Sequence, residues 1–117
     1  MNIEEYRDYC LFKKGVTEGS LFDETTLVFK VMNKTFAITS IEGFEFINLK
    51  SDPEKAIQLR EEFNGIMPGF HMSKKHWNSV YLNKDVSDKL IYHCIDESYD
   101  LIVSSLTKKL KEELENL

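Results

Sequence analysis

Residues 27–40 of the chain read LVFKVMNKTFAITS, and this stretch decides the fold class. Apolar and polar residues alternate through Leu27–Met32 and again through Thr35–Ser40, which is the two-residue period of a half-buried β-strand. Asn33-Lys34 separates the two runs, and a two-residue connection is typical of a tight hairpin. The stretch therefore predicts an antiparallel β-hairpin.

The segments around this hairpin extend the predicted sheet. We expect a turn-rich connection over Thr17–Thr25, before the hairpin, and a tight turn at Glu42-Gly43, after it. Phe44–Lys50 predicts a third strand. Trp77–Leu82 also has strand character, and Asn83–Asp85 is typical of a turn. Because strands joined by hairpins pair antiparallel, we expect an antiparallel meander.

Apolar residues at helical spacing predict helices packed against this sheet. The predicted ranges are Asn2–Lys14, Pro53–Phe63, Ser87–Leu106 and a short charged helix over Thr107–Leu117. Gly15 should end the first helix, Asp52 should cap the second, and Asn64-Gly65 should close the second with a left-handed cap. The third is predicted to be the main core helix because apolar side chains recur every three to four residues, at Ile91, Ile95, Tyr99 and Ile102.

The length and composition of the chain indicate one globular domain over residues 1–117. Hydrophobic residues make up 42% and charged residues 30%, which is typical of a folded α+β protein. Neither a secretory signal nor an apolar run of about 20 residues is present, so we expect a cytoplasmic monomer with no membrane segment. Cys10 and Cys94 lie in apolar, helix-periodic contexts, and we expect both to be buried.

The charge is unevenly distributed along the chain. The net charge of −5 argues against strong non-specific attraction to nucleic acid. However, Asn64–Lys84 contains no Asp or Glu, which a window of this length would show by chance only about 2% of the time. The segment instead combines lysines and histidines with aromatic side chains, as nucleic-acid contacts do. These residues are His71, Lys74, Lys75, His76 and Lys84, with Phe70, Trp77 and Tyr81.

Motifs for catalysis and cofactor binding are missing from the sequence. It contains no G-x-x-x-x-G-K-[ST] loop, no G-x-G-x-x-G and no G-x-S-x-G, so we expect no enzyme activity, no catalytic residue and no cofactor. His71 and His76 are five residues apart, a spacing with no settled metal-ligand geometry, and we expect no metal site.

The stretch Pro68–Tyr81, PGFHMSKKHWNSVY, resembles the signature of the MmcQ/YjbR family. Phe36-Ala37, Asn48–Lys50 followed by Asp52-Pro53, and Ser98–Val103 also match the family in order. The resemblance implies an α+β fold with an antiparallel sheet packed by helices, similar to the CyaY-like (frataxin-like) arrangement and described as a double wing. Family members of this kind are commonly described as DNA-binding proteins.

Two functions follow as hypotheses. The first is a DNA-binding module, weak and salt-sensitive, that uses the residues Lys50, His71, Lys74, Lys75, His76, Trp77 and Lys84. Glu18, Asp23 and Glu24 depart from the family pattern, and an acidic strip there would weaken phosphate binding. The alternative is a protein–protein interaction module that docks a partner on its sheet and depends on Phe44, Phe46 or Tyr81.

Overall fold

The computed structural model describes residues 1–20 and 23–117, and it consists of an antiparallel sheet with helices packed against it. The strands are β1 Val16–Ser20, β2 Thr26–Val31, β3 Lys34–Ser40, β4 Phe46–Lys50, β5 Ile66–Pro68 and β6 Trp77–Tyr81. The helices are α1 Ile3–Phe12, α2 Pro53–Glu62, α3 Asp88–Ser104 and α4 Lys108–Glu115. The strand order is β1-β2-β3-β4-β6-β5, and every neighbouring pair is antiparallel. The predicted α+β class with an antiparallel sheet is confirmed.

The predicted hairpin forms, with its turn one residue earlier than expected. Val31 pairs with Lys34, so the two central turn residues are Met32 and Asn33, with φ of +48° and +67°. This turn type requires positive φ at both central positions, and its twist matches that of the flanking strands. The prediction of Asn33-Lys34 as the turn is therefore wrong by one position, and Lys34 belongs to β3.

The N-terminal edge of the sheet differs from the prediction. β1 occupies Val16–Ser20 and pairs with β2, so this part of the predicted turn-rich connection Thr17–Thr25 is wrong. Leu21 and Phe22, within the same predicted connection, lie outside the described residues. Four of the five β1 residues are exposed, and an exposed edge strand has no buried face to give it an alternating apolar pattern.

The end of α2 also differs from the prediction. Neither Asn64 nor Gly65 has a positive φ, so the predicted left-handed cap is wrong. Instead, the backbone N–H groups of Asn64 and Gly65 donate to the carboxylate of Asp85, at 2.8 and 2.7 Å. A Cβ on Gly65 would lie only 2.9 Å from the Cβ of Lys84. The glycine therefore serves close packing of two chain segments, rather than a left-handed backbone.

The core lies between the sheet and the helices. α3 crosses β3 and β4, and its Ile91, Ile95 and Ile102 are buried as predicted. Tyr99 is only partly buried, and its hydroxyl donates to the backbone carbonyl of Lys14 at 2.7 Å. The expected burial of both cysteines is confirmed. No helix among the described residues is both long enough and apolar enough to cross a bilayer.

The two faces of the sheet differ in what covers them. Ile47 and Leu49 of β4, with their neighbour Val80 on β6, are buried in the core on the helix side. Side chains alternate along a strand, so the intervening residues point to the opposite, helix-free face. They form three cross-strand pairs, Phe46 with Tyr81, Asn48 with Ser79 and Lys50 with Trp77.

Candidate functional site

The pairing of β4 with β6 places Lys50 beside the segment that precedes β6. Lys50 is opposite Trp77, and the N–H of Ser51 donates to the carbonyl of His76 at 2.9 Å. Behind Lys50, the buried hydroxyl of Ser98 accepts from the Lys50 N–H at 2.8 Å and donates to the Phe36 carbonyl at 2.6 Å. A helix side chain therefore fixes the backbone that carries this lysine.

Residues 69–76, which we call the basic loop, connect β5 to β6 and are held by their own backbone hydrogen bonds. The Gly69 N–H donates to the Trp77 carbonyl at 2.9 Å, and the Trp77 N–H donates to the Ser73 carbonyl at 3.0 Å. Gly69 is required for this approach, because a Cβ there would lie 2.8 Å from the Cβ of Trp77. His71 adopts a left-handed conformation, with φ of +59°. The loop therefore has a defined conformation.

Arg60 supports the basic loop from α2, a role that the sequence analysis missed. Its Nε donates to the side-chain oxygen of Asn78 at 2.6 Å, and its Nη2 donates to the backbone carbonyls of Lys74 and, at 3.4 Å, Trp77. All three acceptors are neutral groups. The sequence signal that could have indicated this role is the position of Arg60, four residues after Ala56 and so on the same face of the predicted helix. Ala56 is buried. An arginine there must find acceptors within the fold.

The lysines near the loop are not equivalent. The ammonium of Lys74 donates to the Gly69 carbonyl and so closes the loop on itself. The ammonium groups of Lys50 and Lys75 take part in none of the ion pairs or hydrogen bonds of the described residues. Lys75 is exposed and Lys50 is half-buried. These two ammonium groups are therefore the ones most available to an anion.

Lys84 lies apart from the other predicted site residues. Trp77 is the first residue of β6, whereas Lys84 follows the end of this strand, and five residues of strand span roughly 14 Å. It lines a separate surface depression with Gly43 and Glu45. The structure thus brings six of the seven predicted residues to one end of β6, and Lys84 lies beyond the other end. The six are Lys50, His71, Lys74, Lys75, His76 and Trp77.

The helix-free face carries a groove beside the basic loop, which we call the aromatic groove. Its volume is about 410 Å³, and it is lined by Ile38, Phe46, Asn48, Phe70, His71 and Met72, with Asp23 and Thr26 on the β2 side. The Phe70 ring is 53% exposed and meets Phe46 edge to face, with centroids 5.9 Å apart and planes at 86°. No pattern in the sequence indicates that Phe70 lies over β4, because this depends on how the loop folds.

A buried polar network fixes the backbone of Phe70 over the sheet. The Phe70 N–H donates to the Ser79 hydroxyl at 2.9 Å, and the Asn48 side-chain amide donates to the Phe70 carbonyl at 3.0 Å. The Ser79 hydroxyl in turn donates to the Asn48 side-chain oxygen. Asn48 and Ser79 are 5% and 0% exposed, so these hydrogen bonds are shielded from water.

The expected acidic strip is divided between two places. Glu18 pairs with Arg7, with Nε and Oε2 2.7 Å apart, and therefore faces α1. Asp23 lines the aromatic groove. Hydrogen bonds from the hydroxyl and N–H of Thr25, and from Thr26, hold the pKa of Asp23 below its usual value, so its carboxylate is charged at neutral pH.

The three aromatic residues of the protein-docking hypothesis also separate. Phe46 and Tyr81 are neighbours on the helix-free face, with ring centroids 5.0 Å apart. Phe44 instead packs against the buried ring of Tyr6 at 5.3 Å and belongs with the core. Only Phe46 and Tyr81 are therefore placed where a partner could reach the sheet.

Comparisons with known proteins give a consistent family. The sequence model described as YjbR matches residues 11–101. The uncharacterised protein YjbR of Escherichia coli K12 is 32% identical over the whole of both chains. The uncharacterised protein YbdF of Escherichia coli O157:H7 is 43% identical over 70% of this chain and 68% of its own. The crystal structure of Deinococcus radiodurans protein DR2400 covers 97% of this chain and 88% of its own, with a TM-score of 0.90 and 34% identity.

Proposed function

We propose that this chain, which belongs to the YjbR family, is a non-enzymatic module that binds nucleic acid through Lys50 and the basic loop. The observation that carries the proposal is the Lys50–Trp77 register, which sets Lys50 beside Trp77 and His76, the two residues that follow Lys75 in the chain. Lys50 is 25 residues from Lys75 in sequence, and ammonium groups without carboxylate partners attract phosphate oxygens.

The rigidity of the basic loop supports this function. The loop is closed by backbone hydrogen bonds, by the Lys74 ammonium and by the Arg60 guanidinium. A surface that is already ordered loses little conformational entropy when a ligand binds. Lysines on such a loop therefore keep more of the energy of a phosphate contact than lysines on a flexible segment.

The expected affinity is weak because few ammonium groups are available. If Lys50 and Lys75 each neutralise one phosphate of a duplex, the slope of log K against log salt should be about −1.8. Three contacting lysines would give about −2.7. The engagement of Lys74 with the Gly69 carbonyl favours the smaller value.

The test is the binding of fluorescein-labelled DNA to Lys50→Glu and Lys75→Glu variants, measured by fluorescence anisotropy across a salt series. Both variants should bind more weakly and show a shallower salt slope. Lys84→Glu is the matched control, since it makes the same change of charge at an exposed lysine beyond the other end of β6. Equal losses in Lys84→Glu and Lys75→Glu would show that only net charge matters and would refute the site.

A second candidate function is the docking of a protein partner on the helix-free face. It is favoured by the aromatic pair Phe46 and Tyr81, beside which Phe70 and Met67 are 53% and 51% exposed. Partners bound through such residues are held mainly by apolar burial, so their affinity should survive high salt. Binding that persists in high salt and falls in Tyr81→Ala, but is unaffected in Lys75→Glu, would select this function over the first.

A further inference from the structure

Building on the proposed nucleic-acid function, we infer that the aromatic groove accepts an unpaired base, so that the chain prefers single-stranded over double-stranded nucleic acid. The groove adjoins the basic loop, because Phe70, His71 and Met72 belong to the loop and also line the groove. A strand whose phosphates contact Lys50 and Lys75 therefore has an aromatic cavity within reach of its bases.

The dimensions and walls of the groove suit a planar ring. Its volume of about 410 Å³ lies within the range of about 300–1,000 Å³ that small-ligand sites occupy. Phe46 and Phe70 stand at 86° to each other and form two nearly perpendicular aromatic walls. The His71 imidazole packs against the Phe70 ring, with centroids 4.0 Å apart, so a base would stack on the part of the ring that stays exposed and present its edge to the second wall.

The charges around the groove set the orientation of the strand. The charged Asp23 carboxylate lies on the β2 side, and the lysines lie on the side of the basic loop. A phosphate is repelled by the first and attracted by the second. The sugar–phosphate chain should therefore run along the loop, with the base directed across the sheet. An apolar peptide bound in the groove would make no favourable contact with either the carboxylate or the lysines.

Paired bases cannot use the groove. In a duplex, each base is stacked between its neighbours and hydrogen-bonded to its partner, so a ring can enter only after unpairing, which costs a few kcal/mol. An unpaired strand has no such cost. A duplex should therefore contact the lysines alone, whereas a single strand should add a stacking contact.

The groove should discriminate little among bases. The Asn48 amide is hydrogen-bonded to Phe70 and Ser79, and the Thr26 hydroxyl is hydrogen-bonded to Asp23, so these polar side chains already have partners. Apart from the His71 imidazole and the second carboxylate oxygen of Asp23, the groove presents few free groups to read base edges, so recognition rests mainly on ring stacking, which every base provides.

The experiment compares three fluorescein-labelled probes of equal length by anisotropy. They are an oligothymidylate strand, its duplex with oligoadenylate, and an abasic strand that keeps the phosphates but has no bases. The oligothymidylate should bind most tightly, by roughly 5- to 150-fold over the abasic strand, as expected for the stacking of one base. The duplex and the abasic strand should both respond to Lys75→Glu.

The decisive variant is Phe70→Ala, with Phe12→Ala as the matched control. Phe12 is 93% exposed at the end of α1, so its removal makes the same chemical change far from the groove. Phe70→Ala should lower the affinity for oligothymidylate by a similar roughly 5- to 150-fold and leave the abasic strand unaffected. Intact folding of each variant is checked by the emission of Trp77, the single tryptophan of the chain.

Two results would overturn the inference, and they can be told apart. If all three probes bind equally and respond to Lys75→Glu, whereas Phe70→Ala has no effect, stacking is absent but the proposed function stands. If no probe binds at physiological salt, the proposed function fails as well. Equal losses in Phe70→Ala for the duplex and the single strand would also overturn the inference, since the ring would then only support the loop.

Discussion

The substitution Ser98→Ala tests how the position of Lys50 is fixed. The Ser98 hydroxyl is fully buried and bridges two strands, since it accepts from the Lys50 N–H of β4 and donates to the Phe36 carbonyl of β3. The paired register of β3 and β4 ends at Ala37 opposite Leu49, so Phe36 and Lys50, the next residues of the two strands, lie just outside it. The Ser98 hydroxyl therefore supplies hydrogen bonds to the backbones of β3 and β4 at a point where these two strands are not paired with each other.

The expected loss of stability follows from the two groups left without a partner. A buried backbone donor or acceptor that loses its hydrogen bond costs about 1–3 kcal/mol. The Lys50 N–H and the Phe36 carbonyl both lose their partner, which lowers the free energy of unfolding. The cost of burying the Ser98 hydroxyl also disappears and offsets part of this loss, so the net decrease should be about 2–4 kcal/mol. For a chain of 117 residues, about 1 kcal/mol corresponds to roughly 4 °C in Tm. The variant should therefore melt roughly 8–16 °C lower.

Thermal and urea unfolding followed by circular dichroism measure this change. Ser104→Ala is the control, because Ser104 lies on the same helix and bonds only to the Leu101 carbonyl at its exposed surface. Its Tm should shift by about 2 °C or less. A Ser98→Ala variant that melts within about 2 °C of the unaltered protein would refute the role of the hydroxyl as a bridge.

Four further predictions concern the support of the basic loop, the close packing at Gly65 and the two thiols. Arg60→Lys keeps the charge but loses the guanidinium fork, so the free energy of unfolding should fall by about 1–3 kcal/mol and amide exchange in residues 69–76 should accelerate; unchanged exchange would contradict this. Gly65→Ala should cost about 1–3 kcal/mol in urea unfolding, whereas Gly19→Ala, with nothing within 4 Å, should cost little; equal effects would contradict the close-packing argument. Burial raises the pKa of Cys10 to about 12 and that of Cys94 to about 11, so the native thiols should react slowly with a disulfide reagent at pH 8 and rapidly once unfolded. Because the native state holds these protons more tightly, stability should fall as pH rises above the ordinary value of 9.0.

The elements with a buried face could be predicted from the sequence, and those without one could not. The core helix α3 and the β2–β3 hairpin have clear apolar periods because one side of each packs into the core. β1 is an exposed edge strand, and β5 has only three residues, so neither displays a period. Local periodicity cannot specify strands whose stability comes from their partners.

The residue types of the candidate site could be predicted from the sequence, but their arrangement in space could not. The absence of acids over Asn64–Lys84 indicated the basic loop. The same segment also contains Lys84, but β6 lies between the loop and this lysine and places it at the other end of the strand. Lys74 and Lys75 are adjacent residues of the same type, but only the Lys74 ammonium donates a hydrogen bond to the Gly69 carbonyl. Such differences arise from hydrogen bonds formed by the folded loop, which a linear pattern of charges does not contain.

The acidity of the chain is compatible with an anionic ligand because most of the acids lie on the helices. The four helices hold 13 of the 20 acidic residues and 7 of the 15 basic ones, so they carry a net charge of −6 against −5 for the whole chain. The domain is at least 26 Å across, whereas charges are screened over about 8 Å at physiological salt. At this salt, acids farther than about 8 Å from Lys50 and Lys75 should thus have little influence on a ligand there. α2 and α3 are closer, because Arg60 contacts the basic loop and Ser98 contacts Lys50. At about 0.01 M salt, the screening length grows to roughly 30 Å, and the repulsion of the more distant acids reaches the ligand as well. The affinity for DNA should therefore rise less steeply on dilution below physiological salt than above it, and a constant slope across both ranges would contradict this division of charge.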